Sequence, residues 1–262
     1  MGKKHQITVA LAQFAPQWKE LEENMEWMFK MIKEAGKVGA HLVIFPELSY
    51  TGYPHETTPE ELASLAETLP SSHSRNLARE ARNYNLAVVY GMLEKAPHGA
   101  YNTVVWLEKD LLFRYRKTHV HWNEKFTPGE EFPLFPSHLG TCGALVCFDL
   151  AFPETARTLA LKGATMIVAP SAVPEEFKKI NRQRVIARAL DNQIFVFYCN
   201  YTGDHYGGGS LIVGPGGDIL LEATEAPGLY FQTIDLSQID YWRHHERIYE
   251  HLQFELIFHK KN

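Results

Sequence analysis

The stretch GALVCFDLAFPETAR, residues 143–157, combines a strand pattern, a cysteine and a helix start. The apolar residues 143–146 predict a short buried strand, and Cys147 follows directly at its end. Pro153 and Glu154 predict a helix start, because proline suits the first helical position and an acid suits the positive end of the helix dipole. Parallel α/β sheets place their chemistry at this kind of strand-to-helix junction, which also favours a thiolate. The stretch therefore predicts a nucleophilic Cys147 rather than a cysteine that only fills the core.

Strand and helix patterns alternate along the rest of the chain. Strands are predicted near residues 6–14, 41–47, 86–93, 101–107, 165–171, 193–200 and 228–236, and a hairpin that turns at 215–217 is predicted over residues 209–223. Helices are predicted near residues 21–35, 59–84 (broken at Pro70), 153–162 and 175–192. This order predicts an α/β fold with a mixed sheet or two sheets, in a single domain over residues 1–262.

Composition excludes several classes of partner. The net charge is −5 and no long basic run occurs, so nothing indicates nucleic acid. No apolar run approaches 18 residues, and the opening residues 1–14 have the pattern of a strand, not of a signal peptide, so we expect no membrane segment. The three cysteines (142, 147 and 199) do not make a disulfide framework, and the first two are expected on one strand. These features favour the reducing cytoplasm.

Two further charged residues follow predicted strands. Glu47 comes directly after Pro46 at the end of the strand at 41–47, and Lys117 lies in the segment 111–132, which begins as a strand and continues as a long loop. An ammonium near Cys147 would lower the pKa of the thiol and stabilise an oxyanion, and a carboxylate would accept the thiol proton. Each residue has an ordinary surface or loop role as its alternative. The combination is what indicates catalysis.

Three motifs, taken in order and at these separations, resemble those of the nitrilase superfamily of carbon–nitrogen hydrolases. They are FPELSYTGY (45–53), YRKTHV (115–120) and VCFDLAFPETAR (146–157), and the resemblance extends from residue 11 to residue 236. It implies an α-β-β-α sandwich whose subunits pair through the helices that flank the nucleophile. It also implies a homodimer or a larger homo-oligomer. No metal and no cofactor are expected.

The resemblance also implies a role for each motif residue. Glu47 would be the general base, Lys117 the oxyanion-stabilising cation and Cys147 the nucleophile. Glu124, in NEKFTPG, matches the second glutamate of the family, although Glu130 and Glu131 lie nearby. The backbone N–H of Phe148 would complete the oxyanion hole.

The substrate is expected to be a small linear amide. The sequence Cys147-Phe148-Asp149 is nearer to the amidase pattern than to the Cys-Trp-Glu of family nitrilases, and Ala151 stands where members that act on carboxylate-bearing amides often have arginine. This favours an uncharged amide, with ω-amides and N-carbamoyl amino acids as the alternatives if Arg182 or Arg188 reaches the site. The other expected pocket residues are Tyr53, Trp122, Phe152, Ser171 and Ala172.

Other chemistries have weaker support in the sequence. A metal hydrolase would use His119, His121 and Asp149, but neither HExxH nor CxxC is present. The glycine-rich segment 203–210 lacks the phosphate-binding spacings and precedes a strand, so a hairpin or bulge is the better interpretation. A non-catalytic binding protein of this fold would have no use for Glu47, Lys117 and Cys147 together. The aromatic tail, residues 237–262, is expected to pack on the domain or on a partner subunit.

Overall fold

The computed structural model describes residues 6–203 and 205–253. The strands are β1 (Gln6–Gln13), β2 (Leu42–Ile44), β3 (Ala87–Lys95), β4 (Ala100–Glu108), β5 (Leu111–Arg116), β6 (Phe135–Ser137), β7 (Gly140–Ala144), β8 (Met166–Pro170), β9 (Phe195–Cys199), β10 (Thr202–Gly203), β11 (Tyr206–Gly207), β12 (Leu211–Val213), β13 (Ile219–Glu222) and β14 (Gly228–Asp235). The α helices are α1 (Leu21–Val38), α2 (Pro59–Leu65), α3 (Ser72–Arg82), α4 (Pro153–Leu161), α5 (Lys178–Leu190), α6 (Ser237–Glu246) and α7 (Ile248–His251). Two 3-10 helices span Cys147–Ala151 and Glu175–Phe177.

Twelve of these strands form two six-stranded sheets. The first sheet has the order β14-β1-β2-β3-β4-β5, and the second has the order β13-β12-β9-β8-β7-β6. Parallel pairs, β1–β2–β3 and β7–β8–β9, lie at the centre of each sheet, and antiparallel strands complete the edges. Of the two expected arrangements, one mixed sheet or two sheets, the structure has two sheets, and both are mixed.

The central strands are apolar on both faces because each sheet is covered on both sides. Val9 and Leu11 of β1 face the second sheet, whereas Ala10 and Ala12 face α1 and α3. In the second sheet, Met166 and Val168 of β8 contribute to the core between the sheets, and Ile167 packs under α4 and α5. The result is the expected α-β-β-α sandwich. No helix in the described residues is long and apolar enough to span a membrane.

The apolar helical stripe predicted in the first helix is a core face. Met28 and Ile32 of α1 are fully buried against the first sheet, and Leu21, Met25 and Phe29 pack beside them. Gly39 ends α1 in the left-handed conformation, with φ of 81°. The helical pattern at 59–84 is two helices, α2 and α3, separated around Pro70 as predicted.

The strand before the nucleophile differs from its predicted bounds. It spans Gly140–Ala144 rather than residues 143–146, because the chain leaves the sheet after Leu145. The Val146 N–H is bound instead by the Asp149 carboxylate, at 2.9 Å, and Cys147 begins a 3-10 helix. Cys147 therefore does not share a strand with Cys142, contrary to the sequence prediction.

The described part of the C-terminal tail lies against the second sheet of the same chain. Ile239 of α6 is buried in the main core, and the Arg243 guanidinium donates a hydrogen bond to the Ala164 carbonyl at 3.3 Å. Trp242 packs so closely over Gly216 that any larger residue there would clash. Residues 254–262, with Phe254 and Phe258, lie outside the described residues.

Candidate active site

The directions of three strands bring Glu47, Lys117 and Cys147 to one end of the sandwich. Glu47 follows β2 and Lys117 follows β5. Because β5 is antiparallel to β4, and β4 to β3, both β2 and β5 end at the same edge of the first sheet. Cys147 follows β7 of the second sheet. The Lys117 ammonium lies within 3.0 Å of a Glu47 oxygen and 2.7 Å of a Glu124 oxygen.

Glu47 is fully buried and held through one of its two oxygens. Oε1 accepts hydrogen bonds from Lys117 Nζ, at 3.0 Å, and from Asn102 Nδ2, at 2.7 Å. Oε2 is buried without a hydrogen-bond partner among the described residues. Burial raises the pKa of Glu47, and Lys117 and Asn102 oppose that rise because their bonds favour the carboxylate. The Glu47 carboxyl group thus has one oxygen fixed by hydrogen bonds and one available for proton transfer.

Gly91 of β3 leaves room for the segment that carries Glu47 to pack directly against the strand. Leu48 has a left-handed backbone, with φ of 47°, and its nitrogen lies where a side chain at position 91 would begin. A Cβ on Gly91 would come within 2.2 Å of the Leu48 nitrogen. The Tyr50 N–H also donates to the Gly91 carbonyl at 3.0 Å. Glycine at position 91 therefore determines how closely Glu47 approaches the site.

Cys147 lies in a strained turn that Asp149 stabilises. Its φ is 44°, a left-handed conformation that costs free energy for any residue with a side chain. The buried Asp149 carboxylate accepts hydrogen bonds from the Val146 N–H, the Tyr115 hydroxyl and the His119 N–H at 2.8 to 2.9 Å. Asp149 therefore connects the turn at Cys147 to the loop that follows β5.

The electrostatics around Cys147 favour the thiol over the thiolate. Burial raises the pKa of Cys147 well above its ordinary value, and the negative charge of Glu47 raises it further. Lys117 and the backbone N–H of Ala172 act in the opposite direction, because both stabilise the thiolate. Although burial lowers the pKa of Lys117, Glu47 and Glu124 raise it above its ordinary range, so the ammonium stays charged. This arrangement would suit a reaction in which a base such as Glu47 removes the thiol proton of Cys147 only as the sulfur attacks.

Glu124 is fixed beside Lys117 by two more donors. The Tyr53 hydroxyl donates to Oε1, and the His121 N–H donates to Oε2 at 2.8 Å. Glu130 and Glu131, the other acids of this loop, are exposed. Of the three acids of this loop, Glu124 is therefore the one that contacts Lys117, and Tyr53 supports Glu124 as well as lining the site.

Cys147 and Lys117 open into a cavity of about 950 Å³. Of the predicted pocket residues, four line it: Tyr53, Trp122, Phe148 and Ala172. Trp122 is 76% exposed and lies against His121, with ring centroids 3.6 Å apart and the ring planes tilted by 30°.

Two predicted pocket residues do not line this cavity. Phe152 stacks on His119 with ring centroids 4.0 Å apart and packs edge-on against Phe148, so it supports the wall from behind. Ser171 is fully buried, and its hydroxyl donates to the Ala169 carbonyl at 3.2 Å. In both cases the neighbouring residue, Phe148 or Ala172, reaches the cavity instead.

Sequence reasoning missed two residues of the site. Asn102 lies within β4 and is 1% exposed; a buried amide in an apolar strand was the available signal. Arg184 of α5 lines the cavity, whereas Arg182 pairs with Glu222 on the surface and Arg188 binds the Leu150 carbonyl.

The metal and nucleotide alternatives gain no support from the geometry. His119 contacts Asp149 at 3.0 Å, but His121 lies apart from them, against Trp122 and Phe148. Over residues 6–203 and 205–253, no group of three or more His, Cys, Asp or Glu side chains is placed to bind a metal ion. In the glycine-rich segment, β10 and β11 pair as a short antiparallel hairpin, as predicted; Asp204 lies outside the described residues.

Comparison with known proteins identifies the family. Residues 8–244 match the carbon–nitrogen hydrolase family. The chain is 34% identical over 243 residues to a nitrilase of Pyrococcus abyssi, covering 89% of this chain and 90% of the relative. It is 31% identical over 206 residues to an (R)-stereoselective amidase of a Pseudomonas species, covering 76% and 74%.

Solved structures agree with this assignment. Nit3 of Saccharomyces cerevisiae, a member of branch 10 of the nitrilase superfamily, has a TM-score of 0.84 and 26% identity, covering 93% of this chain and 96% of its own. An amidase from Nesterenkonia sp. AN1, in a variant carrying the acetamide moiety of fluoroacetamide on its active-site cysteine, has a TM-score of 0.77 and 25% identity, covering 95% and 98%. The chain therefore belongs to the carbon–nitrogen hydrolase family of the nitrilase superfamily, and it is a hydrolase of non-peptide C–N bonds.

Proposed function

We propose that the protein hydrolyses a small linear amide to ammonia and a carboxylic acid through a thioester on Cys147. The observation that carries the proposal is the Lys117 ammonium, held at 3.0 Å from Glu47 and 2.7 Å from Glu124 in the cavity that Cys147 lines. A buried cation between two carboxylates is costly to build and suits an oxyanion that forms beside it. The amidase relatives, and the modified cysteine of the Nesterenkonia amidase, agree with this chemistry.

In the first half of the reaction, Glu47 accepts the thiol proton of Cys147 while the sulfur attacks the amide carbon. The carbonyl oxygen becomes an oxyanion, stabilised by the Lys117 ammonium and the Phe148 backbone N–H. Glu47 then returns the proton to the amide nitrogen, the C–N bond breaks, and ammonia leaves. Cys147 is left as a thioester.

In the second half, Glu47 accepts a proton from water, and the resulting hydroxide attacks the thioester carbon. The same two donors stabilise the second oxyanion. The C–S bond breaks, the proton passes to the sulfur, and the acid is released. Glu124, held by Tyr53 and His121, positions Lys117 through both half-reactions.

Replacement of Cys147 by Ala tests the proposal. We expect ammonia release from amides such as propionamide to fall to background, with thermal unfolding unchanged to within a few degrees. Iodoacetamide should add one carbamidomethyl group to the native protein and none to C147A, because Cys142 and Cys199 are buried. Cys142→Ala is the matched control and should be labelled once, at an unchanged rate. Retained ammonia release by C147A would refute the mechanism.

We also propose that the protein is a cytoplasmic homodimer or larger homo-oligomer that pairs through α4 and α5. Two apolar side chains of α5, Ile180 and Leu190, are 44% and 42% exposed, which supports contact with a second copy. The three cysteines are free, which agrees with a reducing compartment. Sedimentation of the purified protein would test the assembly.

A further inference from the structure

One guanidinium in the catalytic cavity has no described anionic partner. Arg184 of α5 is half-buried and lines the same cavity as Cys147 and Lys117. Its Nη1 makes a 3.5 Å contact with the Asn181 side-chain oxygen, one turn earlier on α5. No carboxylate oxygen of the described residues lies within 4.0 Å of the Arg184 guanidinium. By contrast, Arg182 of the same helix has a two-bond pair with Glu222.

A second positive charge adds to the potential around Arg184. Arg188, one turn further along α5, is 7% exposed and donates to the Leu150 carbonyl at 3.0 Å. Its Nε is buried without a hydrogen-bond partner among the described residues. Burial lowers the pKa of Arg188; Asp191 opposes this, and the charge of Arg184 lowers the pKa further. Two neighbouring cations of this kind are stabilised when an anion binds beside them.

The other charged residues of the cavity wall are either exposed to solvent or already paired. Glu56, Glu176 and Lys125 also line the cavity, but all three are exposed, so water and salt weaken their fields. Lys117 and Glu124 already bind each other. Arg184 is therefore the partly desolvated charge of the wall that is left for a ligand.

We propose that Arg184 binds a carboxylate at the far end of the amide substrate, so that the enzyme prefers amides of dicarboxylic acids. This deepens the proposed function and rests on it. A guanidinium offers two parallel N–H donors that match one carboxylate, whereas phosphate sites usually gather several donors. Cys147 and Arg184 both line the cavity, whose volume of about 950 Å³ is in the range of small-molecule sites. The sequence preference for an uncharged substrate rested on Ala151 and considered only Arg182 and Arg188 as replacements; Arg184 reverses it.

Paired substrates test this directly. The kcat/KM for ammonia release is measured for succinamate, glutaramate and adipamate, and for the neutral amides butyramide, pentanamide and hexanamide. We expect at least one acid to exceed its neutral counterpart by about tenfold or more, since a charge-assisted pair in a partly desolvated site contributes that much. The preferred chain length then reports the distance from the sulfur to the guanidinium.

Variants of the two arginines attribute the preference. In R184Q the acid-to-neutral ratio of kcat/KM should fall about 10- to 100-fold, mainly through the KM of the acid. R184K keeps the charge without the two-donor geometry and should retain an intermediate ratio. R182Q, which loses a surface pair on the same helix, should keep the native ratio within about twofold.

Three results would overturn the inference. They are a native enzyme that shows no preference for any acid, an R184Q ratio equal to the native ratio, and an equal fall of the ratio in R182Q. Ammonia release from neutral amides alone would leave the proposed function standing while refuting the role of Arg184. If no amide of either series released ammonia, the proposed function itself would fail, and the inference with it.

Discussion

Lys117 is the residue whose loss has the most predictable consequence. Its side chain and that of Glu47 are fully buried, and the Glu124 side chain is 6% exposed. In Lys117→Met the two carboxylates lose the ammonium that they share. Breaking a buried ion pair by removing one partner costs about 3–5 kcal/mol, because the remaining charge stays in a medium of low polarity. We expect the free energy of unfolding to fall by about that amount at pH 8, and kcat to fall by at least about 10²-fold.

The loss of stability should depend on pH with a defined sign. The pKa of Glu47 is already raised by burial, and it rises further when the cation is removed. A group whose pKa is higher in the folded than in the unfolded state destabilises the fold as the pH rises through those values. The difference between native and variant should therefore be small below about pH 4.5 and grow towards pH 8.

Urea unfolding at pH 5 and pH 8 measures this difference. The double variant K117M/E124Q removes one of the two uncompensated charges and should recover at least about 1 kcal/mol at pH 8. Lys125→Met, which removes an exposed lysine of the same loop, should change stability by less than about 0.5 kcal/mol. An equal loss at both pH values, without recovery in the double variant, would refute the electrostatic argument.

Three further changes test the support of the site. Asn102→Leu removes a donor to Glu47, so the pKa of Glu47 should rise and the acid limb of kcat/KM should move to higher pH; an unmoved limb would contradict this. Gly91→Ala should lower kcat and cost about 1–3 kcal/mol in urea unfolding, because the added Cβ meets the backbone at 2.2 Å. Gly214→Ala is its control, with 3.4 Å to the nearest atom, and similar losses in both would sink the packing argument. Asp149→Asn turns one acceptor oxygen into a donor, so iodoacetamide should label the nucleophile more slowly; native-rate labelling would count against the role of Asp149.

Hydrophobic periodicity and end signals agree along most of the chain, so they were sufficient for the α/β class and the order of elements, whereas the α-β-β-α sandwich was implied by the family resemblance. The stripe on α1, the break at Pro70 and the helix start at Pro153 each have a local cause that acts within one turn. The junction between β7 and the nucleophile did not follow local rules. There the Asp149 carboxylate, instead of a neighbouring strand, accepts the hydrogen bond of the Val146 N–H. A side-chain acceptor of this kind does not change the hydrophobic periodicity, so the end of the strand could not be predicted from the sequence.

The candidate site could be predicted only as far as its motifs reach. Glu47, Lys117 and Cys147 are recognisable because their residue types and order carry the resemblance. Which side chain of a wall faces the cavity depends on the backbone direction of each loop, and for this reason Phe152 and Ser171 were placed wrongly. Arg184 belongs to a helix with several basic residues, and only the packing of α5 determines which of them turns inward.

The left-handed backbone at Cys147 means that the residue best suited to this conformation is not the residue that the proposed chemistry needs. At φ of 44° glycine would relax the turn, but glycine carries no sulfur. A screen that selects for thermal stability alone would therefore favour Cys147→Gly, which should be more stable but inactive. Such a screen of this protein needs an activity assay beside it.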